Sequence, residues 1–246
     1  MAKIDKSQYT KAEWKVIKEQ RKQEKLANSV VKVISEIKEE PIVTAPVVNC
    51  LDTSTAFVMG NGTSRSSIDP KSLRQHGKTY GCNALYRTFV PDYLVAVDVK
   101  MVLEIAKAGY QHRSPVWTNP NKSYQKITNL NFFHPSKGWS SGPTALWLAS
   151  QHKYQRVFIL GFDYKGLNDG AKFNNLYADT VNYKKSTDGA TFFGNWLRQT
   201  ASVIKENPNI QYYRVIASDN YCPEELNKFS NLKTIFVDDF KKMFNL

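Results

Sequence analysis

The chain is poor in cysteine: three are scattered over 246 residues, at Cys50, Cys82 and Cys222, with no CxxC pair. This excludes a disulfide framework and a structural zinc of the usual spacing, and it fits a reducing compartment. No apolar run approaches the ~18 residues a membrane-spanning helix requires. The opening Met1-Ala-Lys-Ile-Asp-Lys6 lacks the apolar core of a secretory signal, so a cytoplasmic location is expected. Histidine is scarce and isolated, at positions 76, 112, 134 and 152 only, where surface or capping roles suffice. Acidic residues are also in deficit, 22 against 34 Lys and Arg, for a net charge of +12.

What is present describes a folded chain. Hydrophobic residues make up 41% and aromatics 13%, too apolar a balance for a disordered protein. The length allows one substantial core, with or without an appendage. The charge excess favours polyanion partners (nucleic acid, anionic membrane or phosphorylated substrates), although a basic protein with none has the same balance.

From about Lys11 to Glu40 there is neither Gly nor Pro, and Val30, Val33, Ile34 and Ile37 follow helical spacing. Pro41 and Pro46 then punctuate a linker. Residues 1–45 therefore read as a basic helical arm, suited to packing, oligomerisation or an anionic surface. Residues 46–246 read as a Rossmann-like α/β domain, with a mostly parallel sheet covered by helices on both faces. Strands are predicted at Ala56–Met59, Lys78–Cys82, Tyr93–Val97, Val116–Thr118, Arg156–Leu160, Gln211–Ile216 and Thr234–Val237. Helices are predicted at Val99–Ala108, Thr144–His152, Thr191–Glu206, Pro223–Phe229 and Asp238–Phe244.

Ligands of such sheets bind beyond the carboxyl ends of the strands, and polar residues gather there. Gly60-Asn61-Gly62 follows the first strand, where glycines let backbone N–H groups approach an anion and Thr63 or Ser64 can donate or cap; the same tripeptide is also a common turn. Asn83 follows the second strand, Asp98 the third, and Gly161-Phe-Asp163-Tyr164 the fifth. Ser140-Ser141-Gly142 opens an apolar helix. Asn83, Asp98 and the two serines serve equally as caps. Residues 164–192 are long, polar and aromatic, and their position beside these ends suggests a lid; Tyr177 and Tyr183 in it either reach a phosphate or pack the loop.

Met59-Gly-Asn-Gly-Thr-Ser64, Ile68-Asp69, Cys82-Asn83, Ser140-Ser-Gly142 and Val157-Phe-Ile-Leu-Gly-Phe-Asp-Tyr164 together resemble the bacterial CMP-sialic-acid-dependent sialyltransferases of the lipooligosaccharide type, and related stand-alone Rossmann-like proteins of bacteria and bacteriophages. The resemblance covers roughly residues 55–200. It implies nucleotide and sugar contacts for Asn61, Gly62, Asn83, Ser141 and Gly142. It also places Lys165 where the family has a tyrosine that assists the departing phosphate. Two departures stand out. Asp98 replaces an asparagine, and the family's general-base histidine is missing, with Tyr183 near its position.

Three functions follow. The leading one is a glycosyltransferase-like protein that binds a CMP-type nucleotide sugar and transfers the sugar to a glycan or nucleic-acid acceptor. Asp163, Lys165 and Tyr183 are its candidate catalytic residues. Gly60, Asn61, Gly62, Ser64, Asn83, Asp98, Ser140, Ser141, Gly142, Tyr164 and Tyr177 are its candidate nucleotide contacts. It requires no cofactor. The second is a non-catalytic nucleotide- or polyanion-binding protein, with the arm contacting the polyanion and a homo-oligomer as one outcome. The third is an Mg-dependent nucleotidyl or diphosphate transferase with the metal at Asp98 and Asp163. No Asp-x-Asp pair supports the common metal-dependent glycosyl transfer.

Overall fold

The run Thr55–Met59 is apolar enough to be buried on both faces, and it forms strand β1 at the middle of the sheet with every residue buried. The computed structural model describes residues 10, 13–21, 54–217 and 221–246. Around β1 lie β2 (Lys78–Cys82), β3 (Tyr93–Val95), β4 (Val116–Thr118), β5 (Leu130–Phe132), β6 (Arg156–Leu160), β7 (Gln211–Ile216) and β8 (Leu232–Phe236). They form one eight-stranded sheet in the order β5-β4-β3-β2-β1-β6-β7-β8, and every pairing is parallel. Val58 faces Tyr80 on one side and Ile159 on the other.

Side chains alternate across a strand, so β1 and β6 feed two cores. Ala56, Val58, Val157 and Ile159 pack with Ala145, Leu146 and Ala149 of helix α2 (Ser141–Gln151) and with Val203 and Ile204 of α3 (Gly194–Glu206). Phe57, Met59, Phe158 and Leu160 meet Phe240 and Phe244 of the C-terminal helix α5 (Val237–Phe244) on the opposite face. Helix α1 (Val99–Lys107) buries Val102, Ile105 and Ala106 with Leu94 and Val116. A short α4 (Glu224–Asn227) precedes β8.

The Rossmann-like architecture expected from the sequence is the one observed. One strand, β5, was not anticipated: three residues, Leu130-Asn131-Phe132, are too few to show alternation. Strand β3 stops at Val95, two residues short, and α2 starts three residues early, at Ser141. Of the predicted arm, residues 13–21 are helical; its other residues after Thr10, and the boundary at 45, lie outside the described residues. No helix among the described residues is long and apolar enough to cross a membrane.

Candidate functional site

The chain leaves β1 to build one half of the sheet and returns to β1's other side with β6. The crevice between the carboxyl ends of β1 and β6 is therefore the topological switch point of the fold. Gly60-Asn61-Gly62 emerges from one strand and Gly161-Phe162-Asp163 from the other. The two turns lean on each other. The Gly62 N–H donates to Gly161 O at 3.0 Å. A Cβ on Gly60 would sit 2.6 Å from Gly161 O, and one on Gly62 would sit 2.5 Å from the Asp163 carboxylate. Gly161 adopts φ +66°, a conformation that disfavours any side chain. These glycines thus serve the contact between the turns.

That use changes which backbone groups are left for a ligand. The Thr63 N–H donates to Asn174 Oδ1 at 3.0 Å and the Ser64 N–H to Asp163 Oδ2 at 3.1 Å. Residues 63–65 make only one turn of 3-10 helix. Ser64 Oγ is bound to Asp163 as well, and Ser64 does not line the cavity described below.

Two buried arginines, unassigned by sequence, organise the remainder. Arg65 Nε donates to Gly60 O at 2.6 Å. Arg214 donates from Nε to Phe162 O at 3.0 Å and from Nη2 to Asp163 O at 3.3 Å. In a trans peptide the N–H points away from the C=O. These bonds therefore turn the N–H groups of Asn61, Asp163 and Tyr164 away from the guanidinium groups, and none of the three donates to an acceptor among the described residues. Arg65 is 6% and Arg214 3% exposed, and neither forms an ion pair among the described residues.

A cavity of about 590 Å³ opens over the crevice. Its walls bring together Gly60, Asn61, Gly62, Asn83 and Asp98 with the start of α2 at Ser140, Ser141 and Gly142. Asn83 is held at φ +52°, and its Oδ1 accepts from Ser141 Oγ at 2.8 Å. Ser141 Oγ in turn accepts from the Val97 N–H at 3.1 Å. Neither serine caps α2 with its side chain, and the first-turn N–H groups of Ser141 and Gly142 have no protein acceptor among the described residues. That helix end favours an anion. Asp98 also fails to cap its helix. It stands at the mouth, exposed on one side, and the surrounding walls push its carboxyl above the usual range.

The connection from β6 to α3 closes over the crevice. Leu176 N–H donates to Asn61 O at 2.8 Å, and Asn174 Nδ2 donates to Asp163 Oδ2 at 3.0 Å and to Lys165 O at 3.1 Å. With Ser64 and Asn174 both bonded to it, Asp163 braces the loops at the cavity wall. No cluster of three potential metal ligands occurs among the described residues. Tyr183 OH accepts from Asn61 Nδ2 at 3.2 Å and from the Ala84 N–H at 3.4 Å. Burial pushes its phenol well above the usual range, so at neutral pH Tyr183 carries its proton.

Three further candidates act differently from expectation. The Asn61 side chain is spent inside, on Cys82 O, Tyr183 and Arg65, so this residue offers a ligand its N–H. Tyr164 OH bonds Thr200 Oγ1 at 2.7 Å within the core, leaving its backbone at the wall. Tyr177 is 7% exposed, bonds Thr88 Oγ1 at 2.8 Å and does not line the cavity. Lys165 lines it, its ammonium 5.3 Å from the Tyr221 ring centre, and Lys184 stands on the same rim.

No protein-family model and no curated protein matches the chain. Among solved structures, it is similar to the monofunctional α-2,3-sialyltransferase Cst-I from Campylobacter jejuni, with 12% identity and a TM-score of 0.47 over 85% of this chain and 98% of that one. It is also similar to the MAf glycosyltransferase from Magnetospirillum magneticum AMB-1, with 13% identity and a TM-score of 0.44, over 85% of this chain and 38% of that one. Neither likeness bears on chemistry.

Proposed function

We propose that the protein binds a nucleotide sugar at the β1–β6 crevice and transfers the sugar to a glycan or nucleic-acid acceptor. The observation that carries this reading is a set of N–H groups, of Asn61, Asp163, Tyr164, Ser141 and Gly142, that have no acceptor among the described residues and surround one cavity, backed by two buried guanidinium groups without carboxylate partners among the same residues. A buried charge left unpaired is costly, and a phosphate above these loops offsets it. The cytidine base follows from the sequence resemblance. In this reading Asn83 and Ser141 hold the donor, Lys165 neutralises the leaving phosphate, and the phenolic proton of Tyr183 bonds to it. The connection over the crevice keeps water from the activated sugar.

A second reading, a binding protein without catalysis, is favoured by one observation: no histidine lines the cavity, and Tyr183 is unsuited to act as a base. One experiment separates the two. Thermal shifts with CMP, CDP, UDP, ATP and GTP, each with and without Mg²⁺, should show stabilisation by CMP. At a hundred times Kd this amounts to about 2.7 kcal/mol, or several degrees in a chain of this size. Hydrolysis of CMP-sialic acid that disappears in Asn83→Ala supports transfer. Binding without any turnover supports the second reading, and no response to any nucleotide sinks the transfer reading and leaves only the polyanion-binding form of the second.

A further inference from the structure

Transfer of a sugar to a hydroxyl needs a group that takes the hydroxyl's proton. Most of the titratable side chains lining the cavity are unsuited or already occupied. Burial pushes the Cys82 thiol up to about 12 and the Tyr164 and Tyr183 phenols well above their ordinary value, so all three keep their protons at neutral pH. Lys165 and Lys184 are cations and suit the phosphate. The Asp163 carboxylate has both oxygens engaged: Oδ2 accepts from the Ser64 N–H at 3.1 Å and from Asn174 Nδ2 at 3.0 Å, and Oδ1 accepts from Ser64 Oγ.

Asp98 differs from all of these. It is exposed, lines the cavity and leaves α1 uncapped, and its carboxylate has no hydrogen bond or ion pair among the described residues. The cavity walls raise its carboxyl above the usual range, which strengthens it as a proton acceptor. Its neighbours Cys82 and Tyr124 are both pushed upward by burial and stay neutral beside it. Its place in the sheet also fits the task. Strand β3 lies two strands from β1, about 10 Å at the usual spacing. An attacking hydroxyl starts about 3 Å from the anomeric carbon, and its base lies about 3 Å beyond. A phosphate at the β1–β6 crevice and a carboxylate at the end of β3 can therefore stand on opposite sides of that carbon. We propose that Asp98 is the general base of the transfer, an inference that rests on the nucleotide-sugar reading. The Asp98 carboxylate takes the proton of the acceptor hydroxyl, or of water, as the hydroxyl oxygen bonds to the anomeric carbon. The bond from that carbon to the phosphate oxygen breaks, its electron pair stays on the oxygen, and CMP leaves. The proton on Asp98 then passes to solvent at the mouth.

Release of CMP from CMP-sialic acid by the full chain, unchanged and as Asp98→Asn, tests it with water and then azide as the nucleophile, alongside calorimetric titration of both proteins with CMP. Asn at position 98 suits a helix N-cap as well as Asp does, so Asp98→Asn should fold. Without its base the variant should hydrolyse the donor about a hundredfold or more slowly and bind CMP as before. Azide attacks without giving up a proton, so it should restore CMP release in Asp98→Asn, with a glycosyl azide as the second product. Hydrolysis unmoved in Asp98→Asn overturns the base and leaves the nucleotide-sugar reading standing. So does a loss that azide fails to restore, or one that CMP affinity shares, since either makes Asp98 a donor contact. A requirement for Mg²⁺ that disappears in Asp98→Asn makes it a metal ligand and overturns the base as well. No turnover by the unchanged protein, with or without CMP binding, ends the transfer reading and the base with it.

Discussion

Arg65 and Arg214 hold carbonyl oxygens from beneath, each on one of the two turns that meet at the crevice. Removing Arg65's charge should therefore affect an anion above more than a neutral ligand. We expect Arg65→Met to weaken CMP about tenfold and to leave cytidine unchanged; equal losses for both would show a merely structural role. Arg214 was legible in principle, as the lone charge in the apolar strand Tyr212-Tyr-Arg-Val-Ile216, where only a buried task accounts for it. Asp98 carries the opposite cost. Its carboxyl titrates above 3.8 because the cavity walls disfavour the charged form. The folded state then holds its proton more tightly than the unfolded state, so ionisation of Asp98 subtracts stability as pH rises through the raised value. Asp98→Asn should raise the Tm of the ligand-free protein at pH 7, with the gain closing as pH falls below 3.8. A Tm unchanged at both pH values would refute this.

The connection between β6 and α3 is fastened by one pair. Arg87 grips Glu104 of α1 through Nε and Nη2, both at 2.7 Å, and also bonds Thr180 Oγ1 and Val181 O. Asn182 Nδ2 reaches the same carboxylate at 2.7 Å. Burial alone would raise the Glu104 pKa, but the bonds from Tyr86, Arg87 and Asn182 outweigh it and hold the carboxyl below 4.5. This fastening is complete above pH 4.5 and is lost as pH falls through the lower, folded value. Glu104→Ala should cost about 2 kcal/mol and expose residues 177–185 to proteolysis; cleavage no faster than in the unchanged protein would refute the role. The long strands were legible because continuous apolar runs mark burial on both faces, and the strand ends then located the site. The destinations of Asn61, Tyr177 and Tyr183 were not legible, since each depends on a contact made far along the chain. The Asn61–Tyr183 bond spans 122 positions.

Across the whole molecule, the excess of Lys and Arg favours a polyanionic acceptor, and residues 1–25 hold eight such residues against four acidic ones. We expect duplex DNA to bind with an affinity that falls steeply with salt, and removal of residues 1–45 to reduce that slope. A slope unchanged by the removal would deny the arm any part. The two turns at the crevice carry a different consequence. Ser64 and Asp163, which join them, lie 99 positions apart, and β6 reaches β1 only after four other strands have been laid down. Pairings so distant in sequence are slow to close. During synthesis the crevice cannot exist until β6 has left the ribosome. A nascent chain halted before residue 160 would have half a sheet, an exposed β1 edge and no crevice, so a ligand bound there would act on folding only at its last stage.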